Sequence, residues 1–151
     1  MNGDKNMKAK FVKLRENAHI PTQGSEKAAG FDLYAAIDNE VIIREGGWMP
    51  IPTGLAITPP AGYFGAIFAR SGLSIKKGLR PANCVGVCDE DYTGEYIVAL
   101  RNDSDCTETV QPGDRIAQLV FLPYIDIEFE EVSSLDKTER GAGGFGSTGT
   151  N

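Results

Sequence analysis

Imidazole and thiol are scarce in this chain: one histidine, His19, and three cysteines, Cys84, Cys88 and Cys106, in 151 residues. Three thiols are not a disulfide framework, which takes paired cysteines in a small secreted domain. Cys84 and Cys88 stand C-x3-C, Cys106 is distant and a fourth soft ligand is missing, so no structural zinc site is expected. The cysteines read instead as small buried hydrophobes. Triads of the Ser-His or Cys-His kind would all have to use His19, which lies between Ala18 and Ile20 in no catalytic context and reads as a surface or half-buried strand position. Long apolar runs are also missing: nothing approaches the ~20 residues of a membrane span. The polar start, Met1–Lys10, does not read as a signal peptide, and the expected location is the cytoplasm. There is no basic excess either. Fifteen Lys+Arg face 21 Asp+Glu, a formal net charge of −6, which argues against non-specific binding of nucleic acid or anionic membrane. A small anion in a locally basic pocket stays open.

What is abundant is punctuation. Eighteen glycines and eight prolines fall every ten residues or so, which leaves little room for long helices and suits many short strands. Between the breakers the apolar period is often two. Ile125–Glu130 alternates cleanly, one face dry and one wet; Tyr96, Val98 and Leu100 alternate with Ile97 and Ala99, as in a strand buried on both faces. Val41–Ile43 and Leu119–Leu122 are short apolar runs of strand length. The expected fold is all-β, a sandwich or barrel-like single domain, with one short helix over Ser71–Gly78. There Ser71 is the expected N-cap, Lys76 and Lys77 close the last turn and Gly78 stops it. Free N–H groups at its start, with Arg70 just ahead, suit an anion.

Composition shifts near Ser133, dividing the chain into a β-rich domain over 1–132 and a Gly-rich tail over 133–151. The tail is not a P-loop, since no Gly-Lys-Ser/Thr follows its glycines. It nevertheless carries Arg140, Ser147 and Thr148 as phosphate donors among flexible glycines, and Phe145 alone among them suits a lid that stacks on an aromatic ring.

Five segments in this order, Ala28–Ala36, Ala69–Ser74, Asn83–Glu95, Gly113–Leu119 and Arg140–Gly149, resemble the trimeric dUTP pyrophosphatase (dUTPase) family, and the resemblance runs from about residue 10 to 149. It implies a homotrimer of jelly-roll-like (β-clip) subunits that hydrolyses dUTP to dUMP and pyrophosphate with Mg²⁺, lowering dUTP and supplying dUMP for thymidylate synthesis. It also implies sites shared between subunits, with the tail of one chain closing over a site built by the others. Asp89 resembles the family's water-activating carboxylate, which aims solvent at the α-phosphorus. Tyr92 looks like the residue packed against deoxyribose, where a 2′-hydroxyl finds neither room nor partner. Asn83 matches the amide that reads uracil, with backbone groups at Gly86, Val87, Cys88 and Ile97 completing the hairpin and excluding the thymine methyl. Arg70, Ser71, Gly72 and Gln118 correspond to phosphate contacts. Arg140 corresponds to the γ-phosphate ligand, Phe145 to the ring stacked on uracil, and Gly146, Ser147 and Thr148 to further phosphate donors. Asp32 matches an acidic residue near the metal, acting through water rather than by direct ligation. Two departures stand out: Cys88 where the family usually has Ile, and Phe31 for a common Tyr. A dCTP deaminase shares the fold but lacks the Asp89–Tyr92 context with a Gly-rich tail, and a dUTP-sensing regulatory protein would carry inserted segments for which 151 residues leave little room.

Overall fold

Turn-forming residues cut the chain into short extended runs, and the computed structural model describes residues 7–144 of it. The described residues begin with β1 (Lys10–Lys13), β2 (Thr22–Gln23), β3 (Phe31–Tyr34) and β4 (Val41–Ile43). The long β5 (Trp48–Thr58), β6 (Tyr63–Phe68) and the helix α1 (Ser71–Lys77) follow. Then come β7 (Leu79–Pro81), β8 (Gly86–Cys88), β9 (Glu95–Asn102), β10 (Glu108–Val110) and β11 (Arg115–Pro123). One sheet has the order β1-β5-β9-β7, a second β2-β3-β11-β6-β8, and β10 pairs with β4. Every pairing is antiparallel, and neighbours such as β3 and β11, or β5 and β9, are far apart in sequence, the crossover habit of a jelly-roll-like domain. The all-β expectation with one short helix holds.

Alternation builds the core between the two larger sheets. Ile51 and Leu55 of β5 and Val98 and Leu100 of β9 are buried against Leu33 of β3, Ile67 of β6 and Leu119 of β11. β9 is dry on one face only, contrary to expectation: Ile97 is 50% exposed, because nothing among the described residues covers its outer side. A larger difference concerns Ile125–Glu130. No strand forms there, and Ile125, Ile127 and Phe129 are 82%, 66% and 96% exposed. Alternation creates a face that wants a partner, but a strand also needs a neighbouring ladder, and the last one among the described residues ends at Pro123.

The helix begins one residue off. Ser71 is its first helical residue and Arg70 holds the N-cap position without a side-chain cap bond, while Gly78 stops it in the left-handed conformation (φ 63°) as expected. Two of the three cysteines also depart from the buried reading. Cys88 is buried, but Cys84 and Cys106 sit in exposed turns. His19 is exposed and stacks on Tyr34 at 5.1 Å. No helix among the described residues is long and apolar enough to cross a membrane.

Two polar side chains are fully buried among the described residues, Thr53 in β5 and Asn102 at the end of β9; Asn102 carries the larger hydrogen-bond set. Its amide nitrogen donates to the carbonyls of Ile43 (2.9 Å) and Cys106 (2.7 Å), and its Oδ1 accepts from Ser104 N–H (2.9 Å) and Oγ (2.7 Å). Truncation orphans donors and acceptors that water does not reach easily. Asn102→Ala is expected to cost about 2–3 kcal/mol, read as a lower urea midpoint at fixed protein concentration.

Candidate active site

β8 and its flanking turns bring most of the expected nucleoside-reading residues together. Asn83, Gly86, Val87, Cys88, Asp89, Tyr92 and Ile97 line one recess of 250 Å³, joined there by Ile67, Glu95 and Tyr96. The local reasons are period and edge. Along β8, Gly86 and Cys88 face inward and Val87 is 62% exposed, so Asp89, one step on, turns outward. β8 pairs only with β6 and is an edge strand, which leaves backbone donors and acceptors on its outer side for a ligand. After it the chain folds back: Tyr92 N–H donates to the Asp89 carbonyl (3.1 Å), and the Tyr92 hydroxyl donates to the Glu95 carbonyl (3.0 Å). Before it, Val85 N–H donates to the Asn83 carbonyl (2.7 Å) around Cys84 at φ 64°. That is the rare, strained form of γ-turn, held at the rim of the recess.

Three adjacent carboxylates are not equivalent. Glu90 is tied down, accepting from Tyr124 hydroxyl (2.7 Å) and Gly62 N–H (2.8 Å), and these bonds hold its carboxyl below its usual range. Asp91 lines only the adjoining outer cleft, whereas Asp89 lines both that cleft and the recess. The Asp89 carboxylate, unlike that of Glu90, accepts no hydrogen bond among the described residues. It is the carboxylate left available at the mouth. The Cys88 thiol beside it is pushed up by burial, partly offset by the Tyr96 hydroxyl, so it stays protonated and is no nucleophile.

A second recess, of 640 Å³, gathers Arg70, Ser71, Gly72 and Gln118 with Asp32 and Arg115. Strand register assembles it. Gln118 on β11 stands opposite Asp32 on β3 and Phe68 on β6, and Arg70 follows Phe68 by two residues. Asp32 accepts from Arg70 Nε (2.7 Å) at one oxygen and Arg115 Nη1 (3.2 Å) at the other. Gln118 Nε2 donates to the Ala69 carbonyl (2.8 Å), and Gly30 leaves the room it needs, since a Cβ there would stand 2.6 Å from Gln118 Oε1. Two guanidinium groups against one carboxylate leave the recess locally positive in an acidic chain, which suits phosphate. Asn83 and Cys84, adjacent in the chain, line one recess each.

Each Asp32 oxygen accepts from an arginine, and no group of three or more His, Cys, Asp or Glu among the described residues could hold a metal. Arg140 lines neither recess and donates within its own segment to the Gly143 carbonyl (3.0 Å). Phe145, Gly146, Ser147 and Thr148 lie outside the described residues. Arg115 and Gly30 were not singled out from the sequence. Both lie inside recognised segments, but their roles depend on partners more than 80 residues away.

Comparisons with known proteins agree on one family. The dUTPase family model matches residues 16–149. The deoxyuridine 5′-triphosphate nucleotidohydrolase of Desulfitobacterium hafniense (strain DSM 10664 / DCB-2) is 49% identical over 144 residues, 95% of each chain. That of Anaplasma marginale (strain St. Maries) is 41% identical over 146 residues, 95% of this chain and 99% of that one. Among solved structures, a mutant dUTPase of Staphylococcus bacteriophage 80alpha with dUpNHpp superimposes with a TM-score of 0.86 at 27% identity, covering 95% of this chain and 99% of that one. A mutant dUTPase from phage phi11 of S. aureus, described as coordinating a structural Mg(II) ion, gives a TM-score of 0.75 at 26% identity, covering 84% and 97%. With an all-β fold of that kind and a family match across nearly its whole length, the chain belongs to the dUTPase family.

Proposed function

We infer that the protein hydrolyses dUTP to dUMP and pyrophosphate, with Asp89 taking the proton of the water that attacks the α-phosphorus. The observation that carries this reading is the single recess in which an available carboxylate, an amide and an aromatic ring meet the open edge of β8. Uracil pairs with that edge and with Asn83; an edge strand cannot move aside for a C5 methyl, and cytosine would leave its polar groups unpaired. Tyr92 packs against the deoxyribose and refuses a 2′-hydroxyl. The triphosphate meets the Arg70 and Arg115 guanidiniums, Ser71, Gly72 and Gln118, which neutralise charge as pyrophosphate leaves. Asp32 anchors both arginines rather than binding a cation. Mg²⁺ enters as part of the substrate, carried on the phosphates with its waters, and supplies further neutralisation there.

The assembly is a homotrimer with shared sites, and residues 140–151 of one chain close over a neighbour's nucleotide, Arg140 and Phe145–Thr148 meeting phosphate and base. In support, Ile125, Ile127 and Phe129 are exposed on a segment whose alternation fits a strand completed on another subunit. The cytoplasm, where the nucleotide pool lies, is the working location.

The test is a hydrolysis panel of dUTP, UTP, dTTP and dCTP with Mg²⁺, followed by pyrophosphate and ammonia release, together with mass by light scattering. The expected result is pyrophosphate from dUTP alone, at least about a hundredfold over the others, and a mass three times that of the chain. Ammonia from dCTP, or equal pyrophosphate from UTP, would replace this reading.

A further inference from the structure

The Tyr96 side chain reaches from β9 to the underside of the Asp89–Tyr92 turn. It is 1% exposed, its ring stands 6.1 Å from that of Tyr92, and its hydroxyl has no hydrogen-bond partner among the described residues. Gly65 pairs with Cys88 across β6 and β8. A Cβ built on Gly65 would lie 3.1 Å from the Tyr96 hydroxyl oxygen and 3.4 Å from Cys88 Cβ, so these three residues meet at one point. The hydroxyl lies beside the Cys88 thiol, a weak donor and acceptor, and burial raises both groups. A buried hydroxyl without a good partner is uncommon and costly, and a longer residue at 88 or any side chain at 65 would collide with it. A residue as small as cysteine at 88, next to Asp89, thus has a local reason: it makes room.

We propose that Tyr96 is a positioning residue for the nucleotide site, a buried post whose length, matched to Gly65 and Cys88, sets where Asp89 and Tyr92 stand. The proposal rests on the hydrolase reading above. Cys88 precedes Asp89 directly, so any lift of β8 at residue 88 carries the carboxylate with it, and a displacement of about 1 Å can cost two decades of turnover. The same ring backs Tyr92, so the sugar discrimination moves with the post.

Four proteins test this: wild type, Tyr96→Phe, Cys88→Ile and the double variant, each measured for kcat and KM with dUTP and for preference over UTP. Cys88→Ile, which drives extra carbons against the hydroxyl, is expected to lose about tenfold or more in kcat, with KM within about twofold and a relaxed preference over UTP. Tyr96→Phe is expected to lose about threefold to tenfold. The double variant should return to within about threefold of wild type, because the added carbon takes the place of the removed oxygen. Wild-type kcat in both single variants, or penalties that multiply in the double, would overturn the proposal. Where Cys88→Ile does not fold, a double variant that folds and turns over near wild type supports it, and one that is worse than Tyr96→Phe overturns it. Wild-type turnover of dUTP is measured first, so an inactive wild type counts against the hydrolase reading and not against the post.

Discussion

Asp89→Asn is expected to bind nucleotide as the wild type does and to turn it over about two to four decades more slowly, the range a positioned general base supplies. The amide keeps the volume and polarity of the carboxylate at the mouth of the recess but takes no proton from water. Neither neighbour replaces it. Glu90 is spent on Gly62 and Tyr124, and protonating it would give up the charge those donors favour; Asp91 lines the outer cleft and not the recess. Calorimetric titration with a non-hydrolysable dUTP analogue reads binding, and pyrophosphate release reads turnover. A loss in both would make Asp89 chiefly a ligand for the sugar. A loss of less than tenfold in turnover would move the base to another residue.

The legibility of this site follows sequence distance. Residues 83–92 form one turn, one three-residue strand and a second turn, so a resemblance carried by one contiguous segment was enough to name most of the lining of this recess. The phosphate recess was only half legible. Arg70, Ser71, Gly72 and Gln118 were identified, but Arg115 and its anchor depend on β3 lying against β11 with Asp32 opposite Gln118, a register no local pattern encodes. Asp32 shows the same limit: the resemblance sets it near the metal without direct ligation, and its two arginine partners, 38 and 83 residues away, come only from the fold. Ile125–Glu130 fails differently. Its period is that of a strand, and period reports a face to be buried without saying in which chain the partner lies. The outer face of β9 makes the same point, with Ile97 open to whatever enters the recess it helps to line.

Arg70→Ala is expected to lower kcat/KM for dUTP by about two to three decades, the effect of deleting one preorganised charge-stabilising donor. The side chain is held ready: its Nε is engaged by Asp32 at 2.7 Å, with the arginine 24% and the aspartate 13% exposed. With Nε anchored on Asp32 and Nη1 donating to the Arg115 carbonyl (3.5 Å), Nη2 is the nitrogen left to meet phosphate, so part of the ordering entropy is already met before substrate arrives. Removing Arg70 leaves Asp32 paired to Arg115 alone, at 3.2 Å on its other oxygen, so the fold should survive with an unfolding free energy, from urea titration, unchanged to within about 1 kcal/mol. Arg70→Lys keeps the charge but loses the planar fork that binds Asp32 and phosphate at once, and should recover no more than about one decade of the loss. Asp32→Asn separates positioning from charge. It leaves both arginines positive but unanchored, so KM is expected to change little while kcat falls about tenfold. If Arg70→Lys restored full activity, simple charge would be enough and the Asp32 anchor would be structural only; if Asp32→Asn raised KM alone, the arginines would serve binding rather than the departing pyrophosphate.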